Sequence, residues 1–267
     1  MKTIYGINVL EEADIRRKCS SFYAEEPKST VSDKYGFINT RDVALGLWQH
    51  GWMPTWAEET RSNLATNRGY NRHMIRWAHP DCLLPNGDRV EIVGVNSHNR
   101  SSIFRLMAGV FRTVCSNGCI TMSSDFGCFE IRHLGDIMGQ VETALNEIGP
   151  LTKRIPCKIV EMQETPLRQE EQLILASAAH GYVYTEPETA PIKPHQLLVP
   201  RRREDKGNTL WSTYNVIQEN IMQGGIRGVL TGHRTRTRRI RNIDKNVRIN
   251  QALWELTEKM CELKHAS

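Results

Sequence analysis

Residues 95–133 read VNSHNRSSIFRLMAGVFRTVCSNGCITMSSDFGCFEIRH, and the element after the strand that ends at Val95 decides the fold. Asn96-Ser97-His98-Asn99-Arg100 makes a polar turn. Ile103, Leu106, Met107, Val110, Phe111 and Val114 then recur at steps of three and four. That spacing predicts a helix over 102–115, capped by Ser101 or Ser102, with one apolar stripe. Arg105 and Arg112 stand seven apart, nearly in line on another face. Ser116-Asn117-Gly118 stops the helix, and 120–122 and 129–131 pair as a hairpin around Ser124-Asp125-Phe126-Gly127.

Working back from this stretch, residues 89–95 are rich in Val and Ile and read as a strand behind the Pro85-Asn86-Gly87-Asp88 turn. Residues 72–79 alternate, with His73, Ile75, Trp77 and His79 on one face. Residues 52–59 are extended, and Pro54 makes them an edge strand or the start of one. A helix runs from an Asn39 or Thr40 cap to Gly51, and another over 9–24. The fold class is therefore α+β: an antiparallel three-stranded sheet packed on helices in α-β-β-β-α order, with a helical C-terminal part.

Forward of it, helices are expected over 134–148, 155–162, 167–180, 210–222 and 248–263. Residues 228–246 read as a basic, Thr-rich loop or arm. Four prolines between 185 and 200 make that segment a linker or a surface strap. The expected domains are a core over 1–184, a Pro-rich linker with a basic start over 185–209, and a helical region with an Arg-rich arm over 210–267.

The chain has 267 residues and a net charge of +5. Residues 201–248 hold twelve Lys/Arg against four Asp/Glu, a local balance of +8 that leaves −3 for the rest. A mildly acidic body with a concentrated basic segment points to a polyanion partner, nucleic acid before membrane. No apolar run is long enough to span a bilayer, and the N-terminus carries no secretory signal pattern. Seven cysteines, an odd number, read as reduced thiols in a cytoplasmic protein.

Four chemistries compete. Cys115, Cys119, Cys128 and His133 have zinc-ligand chemistry, but their spacing is C-x3-C-x8-C-x4-H, and small buried apolar residues are the plainer reading. Pro80-Asp81 with Glu91-Ile92-Val93 resembles the Pro-Asp…Glu-x-Lys nuclease pattern, with Val93 where the lysine should stand. A Cys/His hydrolase leaves no local signature. No phosphate loop is present, so no nucleotide cofactor is expected. Binding is the fourth. Arg61, Arg68, Arg72 and Arg76 are interleaved with Tyr70 and Trp77. His98 and Arg100 lie in the polar turn, Arg105 and Arg112 on the expected helix, and Arg234, Arg236, Arg238, Arg239 and Arg241 on the arm. Guanidinium suits phosphate, and aromatic rings stack on unpaired bases.

Three groups of residues also carry a resemblance. They are Asn96-Ser97-His98 with Arg105-Leu106-x2-Gly109-x-Phe111-Arg112-x-Val114-Cys115-Ser116-Asn117-Gly118; Leu210-Trp211-x2-Tyr214-Asn215-x2-Gln218-Glu219-Asn220-Ile221-x2-Gly224-Gly225; and Ile249-Asn250-x2-Leu253-Trp254. Over about residues 35–263 the chain resembles an uncharacterised domain-of-unknown-function family carried by phages, plasmids and integrated elements. That resemblance implies a mobile-element setting and supplies no reaction. The α-β-β-β-α order is also similar to the core of phage single-strand annealing proteins of the Red-beta, RecT and Erf types. It implies a homo-oligomeric ring or filament exposing a basic groove to single-stranded DNA. The reading reached is a single-stranded-DNA-binding protein that promotes annealing without nucleotide hydrolysis. Its alternatives are a metal-dependent nuclease or other hydrolase, and a module that blocks a host defence protein.

Overall fold

In the computed structural model the chain turns back after Val95 as another strand, and that one difference reorganises the N-terminal half. The structure describes residues 2–62, 64–84, 88–111, 118–119, 128–133, 137–152, 154–186 and 190–266. They form two compact units, Met1–Arg154 and Ile155–Ser267. The boundary thus falls about thirty residues before the expected one at 184, because the helices after it pack with the C-terminal helices.

The first unit opens with a hairpin, β1 (Lys2–Ile4) and β2 (Ile7–Val9), then α1 (Glu12–Lys18) and a 3-10 turn at Ser20–Tyr23. These replace the single helix expected over 9–24. Helix α2 (Thr40–Gln49) starts where its cap predicts: the Asn39 side chain accepts from the Arg41 N–H. Then come β3 (Met53–Glu59), β4 (His73–Leu83), β5 (Arg89–Asn96), β6 (Phe104–Phe111), β7 (Gly118–Cys119), β8 (Cys128–Ile131) and α3 (Ile137–Thr152). The sheet has six strands rather than three. It runs β3-β4-β5-β6 antiparallel, and β7 and β8 both pair with β6. β3 is the edge that Pro54 requires.

The expected helix over 102–115 is thus corrected to a strand over 104–111; residues 112–117 lie outside the described residues. The reason is burial on both sides. Phe104, Leu106, Met107, Ala108 and Val110 are all at most 1% exposed. An interior strand covered on both faces reads as a continuous apolar run, and such a run contains three- and four-residue steps by default. The element order after α2 is therefore four long strands, not β-β-β-α.

One face of this sheet carries His73, Ile75 and Trp77 of β4 and Ile92 and Asn96 of β5. Asn96 Nδ2 donates to the Ile38 carbonyl (2.9 Å) and to Thr40 Oγ1 (3.0 Å). Thr40 Oγ1 lies 2.8 Å from His73 Nε2 and 3.5 Å from His98 Nε2. His98 and His73 are fully buried. Burial holds His73 down to about 4 and His98 down to about 3. The Ser97 hydroxyl bonds both the N–H (2.9 Å) and the carbonyl (3.1 Å) of Ser102, closing the turn that holds Arg100 at φ 63°. So Asn96-Ser97-His98 is a buried clasp between the end of β5 and the start of α2.

The opposite face carries a charge cluster. Glu91 is fully buried, with Arg76 Nε at 2.6 Å from one oxygen and Arg89 Nε and Thr55 Oγ1 on the other. Burial alone pushes the Glu91 carboxyl up, but the two guanidiniums outweigh it and hold it below the usual range.

The second unit contains α4 (Ile155–Glu164), α5 (Gln169–Val183), α6 (Leu210–Gln223), a hairpin of β9 (Arg227–Leu230) and β10 (His233–Arg236), and α7 (Ile243–His265). The basic segment 228–246, expected as a loop, is thus partly a hairpin and partly the first turn of α7. Trp211 stacks on Tyr214, and Trp254 meets both edge-on, which makes this aromatic trio the joint between α6 and α7. No helix among the described residues is long and apolar enough to cross a membrane.

Glu91→Gln strands two guanidiniums and is expected to lower unfolding free energy by about 3–5 kcal/mol, whereas Glu130→Gln, which loosens an ion pair whose carboxylate is 52% exposed, costs about 1 kcal/mol or less; urea denaturation of the two variants reads the contrast. The buried histidines set a pH dependence. Both are neutral when folded and take a proton near pH 6.5 when unfolded, so acid favours the unfolded state. Stability should fall by about 1.4 kcal/mol per pH unit for each histidine as pH drops from roughly 6.5 towards 4, and a His73→Asn, His98→Asn double variant should flatten that slope.

Candidate nucleic-acid interface

The arginines proposed on the central strands do not assemble into a groove. Trp77 is 1% exposed, in the core, and offers no ring to a base. Arg76 is buried against Glu91. His98 is buried in the clasp. Arg105 pairs with Glu130 at 2.8 Å. Tyr70 and Arg72 are half-buried, and Arg61, Arg68 and Arg100 are exposed. Arg112 lies outside the described residues. Of the zinc set, Cys115 lies outside them too, and only the backbone of Cys119 is described. Cys128 is a free thiol, while the His133 ring faces the Gly36 carbonyl with Nδ1 (2.8 Å) and stacks on Tyr35. Of the nuclease pattern, Asp81 is exposed and both Glu91 oxygens are taken by arginines.

The arginines of the arm do assemble. Helix α6 begins at a Thr209 cap whose hydroxyl accepts from the Ser212 N–H. Every residue from 213 to 222 is buried, including Asn215, Gln218, Glu219 and Asn220. Buried polar groups need partners: Asn215 finds one within the helix, donating to the Trp211 carbonyl (2.7 Å), and the other three find them in neighbouring chain. Asn220 Nδ2 donates to the carbonyls of Leu197 (2.8 Å) and Val199 (2.9 Å), and Asn220 Oδ1 accepts from Arg201. Glu219 pairs with Arg202 at 2.8 Å. Gln218 donates to Asn250 of α7 (3.0 Å). His180 Nε2 of α5 lies 2.8 Å from the Ile192 carbonyl. The segment 190–202 is therefore a pinned strap, and Arg201 and Arg202 of the basic block are spent in pinning it.

Gly224 and Gly225, at φ 62° and 82°, end α6 and send the chain into the hairpin. Its base is zipped to the helix end, Gly225 N–H to the Thr237 carbonyl (2.7 Å) and Ile240 N–H to the Met222 carbonyl (3.0 Å). Its tip is Thr231-Gly232, both at positive φ (49° and 80°), the two-residue turn whose twist matches antiparallel strands. Register pairs Arg236 with Arg227 and Arg234 with Val229. Partners across a ladder share a face, so Arg227, Arg234 and Arg236 point the same way, around Val229.

The β9 edge docks on the strap. Val229 N–H donates to the Pro191 carbonyl (2.8 Å), and Gln196 Nε2 donates to the Arg227 carbonyl (3.0 Å). At Gly228 a Cβ would stand 1.8 Å from the Pro191 oxygen, so only glycine permits this approach. Between hairpin and strap lies a concavity of about 1100 Å³, and Lys193, His195, Arg227, Arg234 and Arg236 line it. All five are exposed, and none of the three arginines forms an ion pair among the described residues. Arg238, Arg239 and Arg241, also exposed, come directly after. Unpaired, solvated guanidiniums around a concave wall are what phosphate recognition requires.

Sequence reasoning found Arg234 and Arg236 and missed Lys193, His195 and Arg227. The one local signal was Thr231-Gly232, a two-residue turn between short strands that carry no apolar alternation.

A family model described as a domain of unknown function, DUF932, matches residues 27–254. The UPF0380 proteins YfjQ and YafZ of Escherichia coli (strain K12) are each 34% identical to this chain over 253 residues, covering 94% of it and 91% of their own length. No solved structure matches the chain.

Gly228→Ala is expected to part the hairpin edge from the strap. Amide hydrogen exchange at Val229 should accelerate, and the unit should lose roughly 1–3 kcal/mol. An unchanged Val229 exchange rate would show that the close approach to Pro191 holds nothing.

Proposed function

The chain belongs to the DUF932 family, a domain of unknown function, and we propose that it is a single-stranded-DNA-binding protein that grips the phosphate backbone in the concavity between the arginine hairpin and the 190–202 strap. One observation carries this: three arginines, without an ion pair among the described residues, on one face of a hairpin whose register and docking hold them around one hollow.

Charge argues for a polyanion, and shape argues for one strand. A basic groove between a hairpin and a strap can track one flexible backbone, as single-strand binders do. Among the described residues no aromatic side chain lines the hollow, so the recognition proposed is of backbone, without base readout. The next three arginines extend the same electrostatic track. Resemblance to phage and plasmid proteins supports a mobile-element setting in the cytoplasm. Annealing by a ring or filament had its support in an α-β-β-β-α order; the fold puts a strand after β5, so binding alone is proposed.

The test is binding to a fluorescent oligonucleotide, single-stranded and duplex, across a salt series. With Lys193, Arg227, Arg234 and Arg236 on phosphates, log affinity should fall with log salt at a slope of about −3, and an Arg234→Ala, Arg236→Ala variant should lose about 1.4 of that slope. Single strand should be preferred. Negligible binding to both oligonucleotides at low salt would sink the proposal, and equal affinity for both would remove its single-strand part.

A further inference from the structure

We propose that Glu161, Cys261 and His265 form a binding site for one divalent transition-metal ion, with zinc as the ion that their donor set matches. Cys261 and His265 stand four apart on α7, so their side chains share one face, one turn apart. Glu161 reaches them from α4. Its Oε1 lies 3.0 Å from His265 Nδ1 and 3.5 Å from Cys261 Sγ. Among the described residues this is the one group in which three such donor atoms all lie within 4.8 Å of one another. Tetrahedral zinc holds sulfur at about 2.3 Å and nitrogen or oxygen at about 2.0–2.2 Å, which sets its ligand atoms roughly 3.3–3.8 Å apart. The two Glu161 separations lie close to that range, and the Cys261 and His265 donors lie within 4.8 Å of each other.

The surroundings fit an ion better than a plain ion pair. The other Glu161 oxygen, Oε2, accepts from Lys158 Nζ at 2.9 Å, which fixes the carboxylate with Oε1 turned towards the thiol and the ring. Thr165, 3% exposed, donates to the Glu161 carbonyl (2.7 Å) and leaves its oxygen 3.8 Å from Cys261 Sγ and 3.4 Å from His265 Nε2. An ion pair needs only Glu161 and His265; the buried Cys261 thiol, which meets the same Glu161 oxygen, supplies the soft donor that a transition metal takes. A thiolate, an imidazole and a carboxylate together select zinc or a neighbouring transition metal over magnesium or calcium, which take oxygen donors. Cys261 is fully buried while the His265 side chain is 53% exposed. The ion therefore enters from solvent and keeps a fourth position for water. Binding replaces the Cys261 S–H bond by a sulfur–metal bond, and the proton leaves to solvent. With one thiolate and one carboxylate the site is neutral around a dication, and the ion clamps the end of α7 to α4.

The full-length protein, stripped of metal by a chelator, should take up one equivalent of Co²⁺ and develop a near-ultraviolet thiolate-to-cobalt band that Zn²⁺ abolishes by displacement. The band should vanish in Cys261→Ser. His265→Ala and Glu161→Gln should each weaken affinity by more than the roughly 10–100-fold that changes in supporting residues cost. Cys157→Ser, which alters an exposed cysteine on α4, should leave it intact. His265→Ala removes a half-exposed ring and keeps the fold, so it also decides the thermal test: zinc should raise the melting temperature of the parent protein and not of this variant. No band in the parent overturns the proposal. So does a band that survives Cys261→Ser, or one lost there yet untouched by both His265→Ala and Glu161→Gln.

Discussion

A helix buried on almost every side must find a partner for each polar group it carries, and the second unit is built on that requirement in α6. A buried amide or carboxylate left unpaired costs several kcal/mol. Glu219 and Asn220 avoid that cost by holding the strap through Arg202, Arg201 and the carbonyls of Leu197 and Val199. Gln218 does the same for α7 through Asn250. The strap so fixed offers the Pro191 carbonyl to β9, and β9 and β10 together offer three arginines to solvent. Packing obligations inside the helix thereby position the charged surface outside it. The same buried set is the Gln218-Glu219-Asn220 of the pattern that carries the family resemblance, so its residues act as fasteners and the proposed binding surface lies one step away from them.

The first unit solves a similar problem in its sheet. β6 is covered on both faces, and the sheet accommodates a buried carboxylate only because two arginines and a threonine meet it. Such a cluster is weak evidence for added stability, since its desolvation offsets much of its attraction, but removing one member leaves uncompensated charge. The His73–Thr40–Asn96 clasp is neutral by the same logic: burial keeps the rings unprotonated, the Thr40 hydroxyl meets His73 Nε2, the Asn71 carbonyl faces His73 Nδ1, and the Asn96 amide donates to the Thr40 oxygen. Three of the residues singled out in sequence, Arg76 and Trp77 on one strand and His98 in the turn after the next, belong to the interior of the fold.

Much of this was legible in the sequence, and the failures have physical causes. Asn39 capping α2, Pro54 at the sheet edge, the alternation of β4 and the glycine stop after α6 were each decided by a local rule, and each stands. β6 was misread because a strand buried on both faces loses its period of two, and its apolar run then contains helical steps by accident. The hairpin was misread because its strands are short, exposed and polar, so no hydrophobic alternation marks them. Charge pointed to the segment that holds the hairpin but not to its geometry. Nothing in residues 201–203 distinguishes Arg201 and Arg202, which are tied to α6, from the free arginines of the hairpin. Nor could spacing bring Glu161 to Cys261 and His265, since a hundred residues separate them and only the packing of α4 on α7 joins them.

The central claim is one of place: single-stranded DNA lies against the hairpin and strap rather than the sheet. Ultraviolet crosslinking of the full chain to a single-stranded oligothymidylate, with the adducts located by mass spectrometry, reads this directly. The account predicts adducts confined to residues 190–196 and 227–241. Adducts concentrated at 61–72 and 98–105 would contradict it.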